Sequence, residues 1–163
     1  MRRLKPEDFL SGLRKGWTYH RGRWGSGYEG IEAVEARRGP FALWDGQGES
    51  EQGASANAGV RIEGRIRLHT ASEGGGVTFR ARAEGVSLAG YEVALDPRVG
   101  RLSLLRHDAK EARELASASA RIDVDRWHRV KVEAAGPRIR VWLDGAVDPL
   151  IDHPDPDPLP ASG

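Results

Sequence analysis

A chain of 163 residues suits one domain, and its lack of cysteine excludes disulfides, thiolate metal sites and cysteine nucleophiles. Its 25 lysines and arginines balance 24 aspartates and glutamates, leaving a net charge of +1. That balance argues against a dedicated nucleic-acid binder, which would carry a basic excess.

Residues 1–16 contain the only helix-like stretch of the N-terminal segment, Lys5 to Arg14, starting after Pro6. Two arginines open the chain, but no apolar run of signal-peptide length follows, and no segment reaches the length of a membrane span. A domain cut from a secreted parent would read the same, so localisation stays open.

From about residue 28 the pattern alternates with period two, as in strands with one buried face. Tyr28 to Arg37 offers Ile31 and Val34, and Phe41 to Trp44 resumes after Pro40. Residues 46–58 are polar and Gly-rich and read as a loop. Further strands are predicted at Gly59 to His69, Val77 to Ala83, Tyr91 to Asp96 and Arg101 to Arg106. In residues 108–121 helix formers are frequent, but the apolar stripe is weak. The segment reads as a hairpin loop and a short edge strand. Two strands flank the turn at Ala135, Gly136 and Pro137. Residues 152–163, with four prolines, read as an irregular tail crossing between sheets. Many short strands, joined by Gly, Pro and Asp-Gly turns, predict an all-β sandwich or barrel.

Alternation also assigns faces. Val77 and Phe79 point inward, which sends Thr78, Arg80 and Arg82 outward. Tyr91, Val93 and Leu95 point inward, which sends Glu92, Ala94 and Asp96 outward. If these strands are antiparallel neighbours, Arg80 and Glu92 share a polar face. There they form either a cross-strand ion pair or a pair of hydrogen-bonding groups for sugar hydroxyls. Trp142 falls outward between Val141 and Leu143, an apolar plate on which a sugar ring can stack. Trp17 and Trp24 read as packing, and Trp44 as the border of a loop end. The five histidines are scattered and read as unligated surface residues.

Several motifs carry a family resemblance. P-E-D-F-L-S-G-L-R-K-G-W with R-G-R-W, then G-G-V-T-F-R-A-R, A-G-Y-E-V-A-L-D and G-R-L-S-L-L-R, resemble segments of concanavalin A-like jelly-roll domains. The likeness is greatest at D-R-W-H-R-V-K-V-E-A-A-G-P-R-I-R-V-W-L-D-G, residues 125–145, and covers nearly the whole chain. Such domains include carbohydrate-binding modules of bacterial glycoside hydrolases, 3-keto-disaccharide hydrolase domains and laminin-G-like domains. The resemblance implies one jelly-roll domain over residues 1–163 with a ligand on the sheet's polar face. Arg80, Glu92, Arg82 and Asp96 would be its polar contacts and Trp142 its stacking plate. Trp127, at the start of an alternating strand, resembles the family's buried tryptophan there and would be core. It favours a non-catalytic carbohydrate-binding domain. The alternatives are a glycoside-cleaving enzyme of the 3-keto-disaccharide hydrolase type and a protein-interaction domain. The enzyme reading draws on Phe79-Arg80 and Gly90-Tyr91-Glu92-Val93.

The two-carboxylate motif E-x-D-x-x-E used by some hydrolases of this fold is missing, since Glu29, Glu32 and Glu35 are spaced by three. No cofactor is implied. Calcium is an option through Asp45, Asp144 and the acidic run 152–157, although no ligand string is recognisable. No nucleic acid or membrane partner is expected. Such domains continue with a further strand where this chain reads Leu159 to Gly163, so a partner chain or parent domain is expected to supply it.

Overall fold

The computed structural model describes residues 59–69, 74–84, 87–108 and 111–159, together with the backbone of four earlier strands. Every regular element among the described residues is a β-strand. The expected helical turns at Lys5 to Arg14 and the loop at residues 46–58 lie outside the described residues, as do the side chains of Trp17, Trp24, Trp44 and Asp45.

The chain divides into two compact units, residues 1–52 with Gly163 and residues 53–162. In the first, β1 (Trp17–His20) pairs antiparallel with β4 (Phe41–Trp44), and β2 (Arg23–Gly27) pairs antiparallel with β3 (Gly30–Glu35).

The second unit is an antiparallel sandwich. One sheet has the order β12-β11-β10-β5, built from β5 (Val60–Arg67), β10 (Trp127–Ala135), β11 (Arg138–Leu143) and β12 (Ile151–Pro154). The other has the order β6-β7-β8-β9, built from β6 (Gly75–Glu84), β7 (Ser87–Asp96), β8 (Arg101–Asp108) and β9 (Ala112–Ser119). We call them the first and second sheet.

Period-two alternation makes the core. Val130, Val132, Ile139 and Val141 face inward from the first sheet, and Tyr91, Val93, Leu95, Leu102 and Leu104 from the second. All belong to one buried cluster, each large side chain contributing about 1.5–3 kcal/mol by leaving water. The weakly striped segment after Asp108 is β9, at one end of its sheet, as its edge-strand reading expected.

Three departures from simple alternation matter. The first is a bulge in β6: Phe79 pairs with Tyr91 and Arg82 with Ala89, so Arg80 and Ala81 together oppose Gly90. Arg80 takes a left-handed backbone, φ 45°. Gly90 sits at φ 151°, and a Cβ there would lie 2.6 Å from the Ala81 Cα. Gly90→Ala is therefore expected to cost about 1–3 kcal/mol in urea unfolding, through backbone strain and that collision. A variant as stable as the wild type would contradict the bulge.

The second departure is at the start of β10. Its even-numbered positions are buried, so His128, at 0% exposure, takes the core-facing place expected of Trp127. Trp127 is on the outer face, half-buried, with the guanidinium groups of Arg65 and Arg67 5.5 and 4.9 Å from its ring centroid.

The third is the tail. Asp152 to Pro154, expected as irregular, continue β12 against β11. Pro154 is tolerated because it ends a strand at the end of the sheet order.

Candidate functional site

The outer face of the second sheet follows from its register. Thr78 pairs with Glu92 and Gly76 with Ala94, while Ala94 pairs with Ser103 and Glu92 with Leu105. Opposed residues on antiparallel strands share a face. On this face Glu92 and His107 meet, Oε2 to Nε2, at 2.7 Å. Both side chains are about four-fifths covered. With the carboxylate oxygen as acceptor the ring Nε2–H is the donor, and in the neutral ring of that tautomer Nδ1 is an acceptor.

The floor beside this pair is cleared of bulk. Gly76, Ala94 and Ser103 occupy neighbouring outward positions. A Cβ on Gly76 would lie 2.6 Å from Glu92 Oε1, so the glycine makes room for the carboxylate. Gly within a strand commonly marks such a close approach. Towards β9, Glu114 accepts from Ser103 Oγ at 3.0 Å and from Arg101 at 2.5 Å. Burial alone would raise the Glu114 carboxyl, yet bonds from Ser103, Ser117 and Arg101 hold it below the usual range.

The five residues expected to bind ligand do not converge. Glu92 faces outward as expected. Asp96 shares its face but stands four positions along β7, about 13 Å away. It is held by Arg98, through Nε at 3.2 Å and Nη2 at 2.9 Å, and those bonds lower its carboxyl. Arg80, expected beside Glu92, is instead 3% exposed, because the bulge turns it inward. Its guanidinium donates to the carbonyls of Leu159, at 3.2 Å, and Ala134, at 3.5 Å. Arg82, one residue past the inserted position, has switched sides and pairs with Ala89, whose side is that of Tyr91. Trp142 faces outward as expected, but from the first sheet.

Around Trp142 lies a groove of about 240 Å³, lined also by Arg61, Glu63, Arg129, Lys131 and the turn at Gly145 to Val147. Lys131 Nζ sits 4.1 Å from the Trp142 ring centroid. Arg129 donates to Glu63 through Nε at 2.7 Å, and its Nη2 contacts the same oxygen. This pairing lowers the Glu63 carboxyl.

Among the described histidines, His69 is exposed as expected, with Nδ1 3.1 Å from Asp125 Oδ1, whereas His107 is largely covered beside Glu92 and His128 is buried against Asp144; His20 lies outside the described residues. The His107 pairing depends on how the turn at residues 97–100 sets the register of β7 and β8, which no local pattern states.

A buried polar clasp ties the tail to the second sheet. Tyr91 donates its hydroxyl to Asp155 Oδ2 at 2.6 Å and accepts the Leu159 N–H at 2.9 Å. Burial and the Asp155 carboxylate push the Tyr91 hydroxyl up to about 12. Among the described residues no three His, Asp or Glu side chains come together so as to hold a metal ion. Asp144, Asp152, Asp155 and Asp157, the described oxygen donors considered for calcium, are engaged by His128, Arg138, Tyr91 and Arg106.

A family model, the 3-keto-alpha-glucoside-1,2-lyase-like domain, matches residues 16–162. The chain belongs to this family. Among solved structures, the carbohydrate-binding module CBM66 from Bacillus subtilis is similar, with a TM-score of 0.68 and 22% identity over 91% of this chain and 83% of that one. The shared fold is the concanavalin A-like jelly-roll sandwich expected from the sequence. No curated protein matches significantly. Within this lyase-like domain, Phe79-Arg80 and Gly90-Tyr91-Glu92-Val93 are adjacent, as expected, but the bulge assigns Arg80 to the interior and leaves Glu92 on the outer face with His107.

Proposed function

We propose that this domain binds a saccharide on the outer face of the second sheet, around Glu92 and His107. The observation that carries the reading is the 2.7 Å carboxylate–imidazole contact beside a floor of Gly76, Ala94 and Ser103. Glu92 accepts hydroxyl hydrogens, His107 Nδ1 accepts another, and the small floor residues let a sugar ring approach the backbone. The likeness to a carbohydrate-binding module supports this reading.

A second reading is favoured by the same contact and by the family. In a 1,2-elimination on a 3-keto glycoside, the ketone acidifies the proton on carbon 2. Its removal sends the C–H electrons into a carbon 1–carbon 2 double bond and expels the carbon 1 substituent. His107 Nδ1 would take the proton, and Glu92 would stabilise the imidazolium that results.

A glycan array followed by calorimetry tests the first reading. Glu92→Gln and His107→Ala are each expected to weaken the best ligand by about 1.5–3 kcal/mol, with the melting temperature little changed. Unaltered affinity in both variants would move the site elsewhere. Incubation with a 3-keto disaccharide tests the second reading. Elimination by the wild type that is lost in His107→Ala would make this site catalytic, while an intact substrate would leave binding alone.

A further inference from the structure

The outer face of the first sheet differs in character from the site at Glu92. β5 contributes Arg61, Arg65 and Arg67, and β10 contributes Arg129 and Lys131. β11 adds Arg138 and Arg140. Against these seven cations the described residues of the face offer three carboxylates, Glu63, Glu133 and Asp152. The whole chain carries only +1, so charge is concentrated here. Arg61, Arg129 and Arg138 are each more than half exposed but paired with Glu133, Glu63 and Asp152, so the attraction for an anion comes from the four cations in excess over carboxylates on the face.

Two aromatic plates interrupt this basic field. Trp142 opposes Lys131, and Trp127 lies two outward positions further along β10. Strand geometry separates them by about 14 Å, the reach of a chain rather than of a single sugar unit. The groove of about 240 Å³ opens beside Trp142.

We propose that this face is a second binding surface, for a carboxylated polysaccharide, independent of the site at Glu92. Guanidinium forks match carboxylates in two-point geometry. The tryptophan rings, against which Lys131, Arg65 and Arg67 lie, supply apolar surface beside the cations for sugar C–H groups. The interleaved carboxylates choose between anionic polymers. Glu63, Glu133 and Asp152 are held by Arg129, Lys131 and Arg138, and the lone pairs left to them accept from sugar hydroxyls, whereas a phosphate backbone, whose charge is dense, brings few donors and would compete with them for those cations. A polymer with both hydroxyls and spaced carboxylates fits the mixed face better than a nucleic acid does.

Affinity electrophoresis of the full chain tests this, with polygalacturonate in the gel and its fully methyl-esterified form as the uncharged match. The expected result is retardation by polygalacturonate alone, weakening as salt rises from about 50 to about 200 mM. Trp142→Ala and Arg129→Gln are each expected to lower the affinity about tenfold, with thermal melts showing both variants folded. Equal retardation by the esterified polymer would overturn the proposal. So would tighter binding of a single-stranded oligonucleotide, or wild-type retardation of a folded Trp142→Ala variant.

Discussion

Asp155→Ala is expected to lower the stability of the sandwich by about 3–5 kcal/mol, because it breaks a buried hydrogen-bonded charge pair. Asp155 is 4% exposed and uses both carboxylate oxygens. Oδ2 accepts from Tyr91 at 2.6 Å and from Arg106 at 3.3 Å, and Oδ1 accepts the Asp157 N–H at 3.0 Å. Its own N–H donates to the Pro137 carbonyl at 2.5 Å, so the residue also anchors the end of β12. Alanine would leave the Tyr91 hydroxyl without its acceptor and the Arg106 guanidinium with its bonds to Asp157 alone. It would also loosen Leu159, whose N–H and C=O meet Tyr91 and Arg80.

Tyr91→Phe removes the donor to Asp155 and the acceptor of the Leu159 N–H, leaves the Asp155–Arg106 pair in place, and is expected to cost about 1–3 kcal/mol. It also carries a pH signature. The Tyr91 hydroxyl titrates near 12 when folded and near 10 when unfolded. The folded state holds its proton more tightly, so stability from this group is complete below pH 10 and falls as pH climbs towards 12. Urea unfolding across that range should show the decline in the wild type and a shallower one in Tyr91→Phe. An Asp155→Ala variant within about 1 kcal/mol of wild type would contradict the clasp.

His128→Ala is expected to cost about 2–4 kcal/mol, since a fully buried imidazole fills volume and satisfies two partners. Its Nδ1 lies 2.8 Å from Asp144 Oδ2, and its Nε2 accepts the Asp123 N–H at 3.0 Å. Asp144 thereby stays fixed at φ 52°, with Oδ1 accepting the Arg129 N–H at 2.8 Å. Burial pushes the Asp144 carboxyl up, but the Arg129 N–H, the His128 ring and the Arg126 charge outweigh it and hold it below 3.8. A depressed carboxylate stabilises the fold above its unfolded value and ceases to do so as pH falls through the folded one. Acid unfolding of the wild type should therefore contain a component below pH 3.8 that His128→Ala reduces. An unchanged acid limb, with stability near wild type, would contradict this reading of the His128 contacts.

The strands were readable because burial on one face imposes a period of two. Val130, Val132, Ile139 and Val141 announce the first sheet's inner face as plainly in the sequence as in the fold. Arg80 was misassigned for a specific reason. A bulge adds one residue without altering composition, and the alternation of Val77 and Phe79 simply stops being informative beyond Phe79. Gly90, the residue that the bulge crowds, was the available signal. Trp127 follows the family's buried tryptophan in sequence likeness only, whereas parity with Val130 and Val132 points to His128 as the inward residue. Glu92 was visible from its own strand. His107, its partner, was not, because two residues fifteen apart meet only once a turn sets the register. Asp155 was invisible as a buried anchor because its partner Tyr91 lies 64 positions away.

The central claim is that a saccharide docks on the outer face of the second sheet. Its most direct test is titration of isotope-labelled protein with the best glycan-array ligand, followed by nuclear magnetic resonance. Saturable shifts are expected in the His107 ring and in the backbone amides of Thr78, Glu92 and Ala94, with Glu92→Gln needing about ten- to a hundredfold more ligand to reach them. Saturable binding that leaves these signals unmoved and shifts others instead would contradict it.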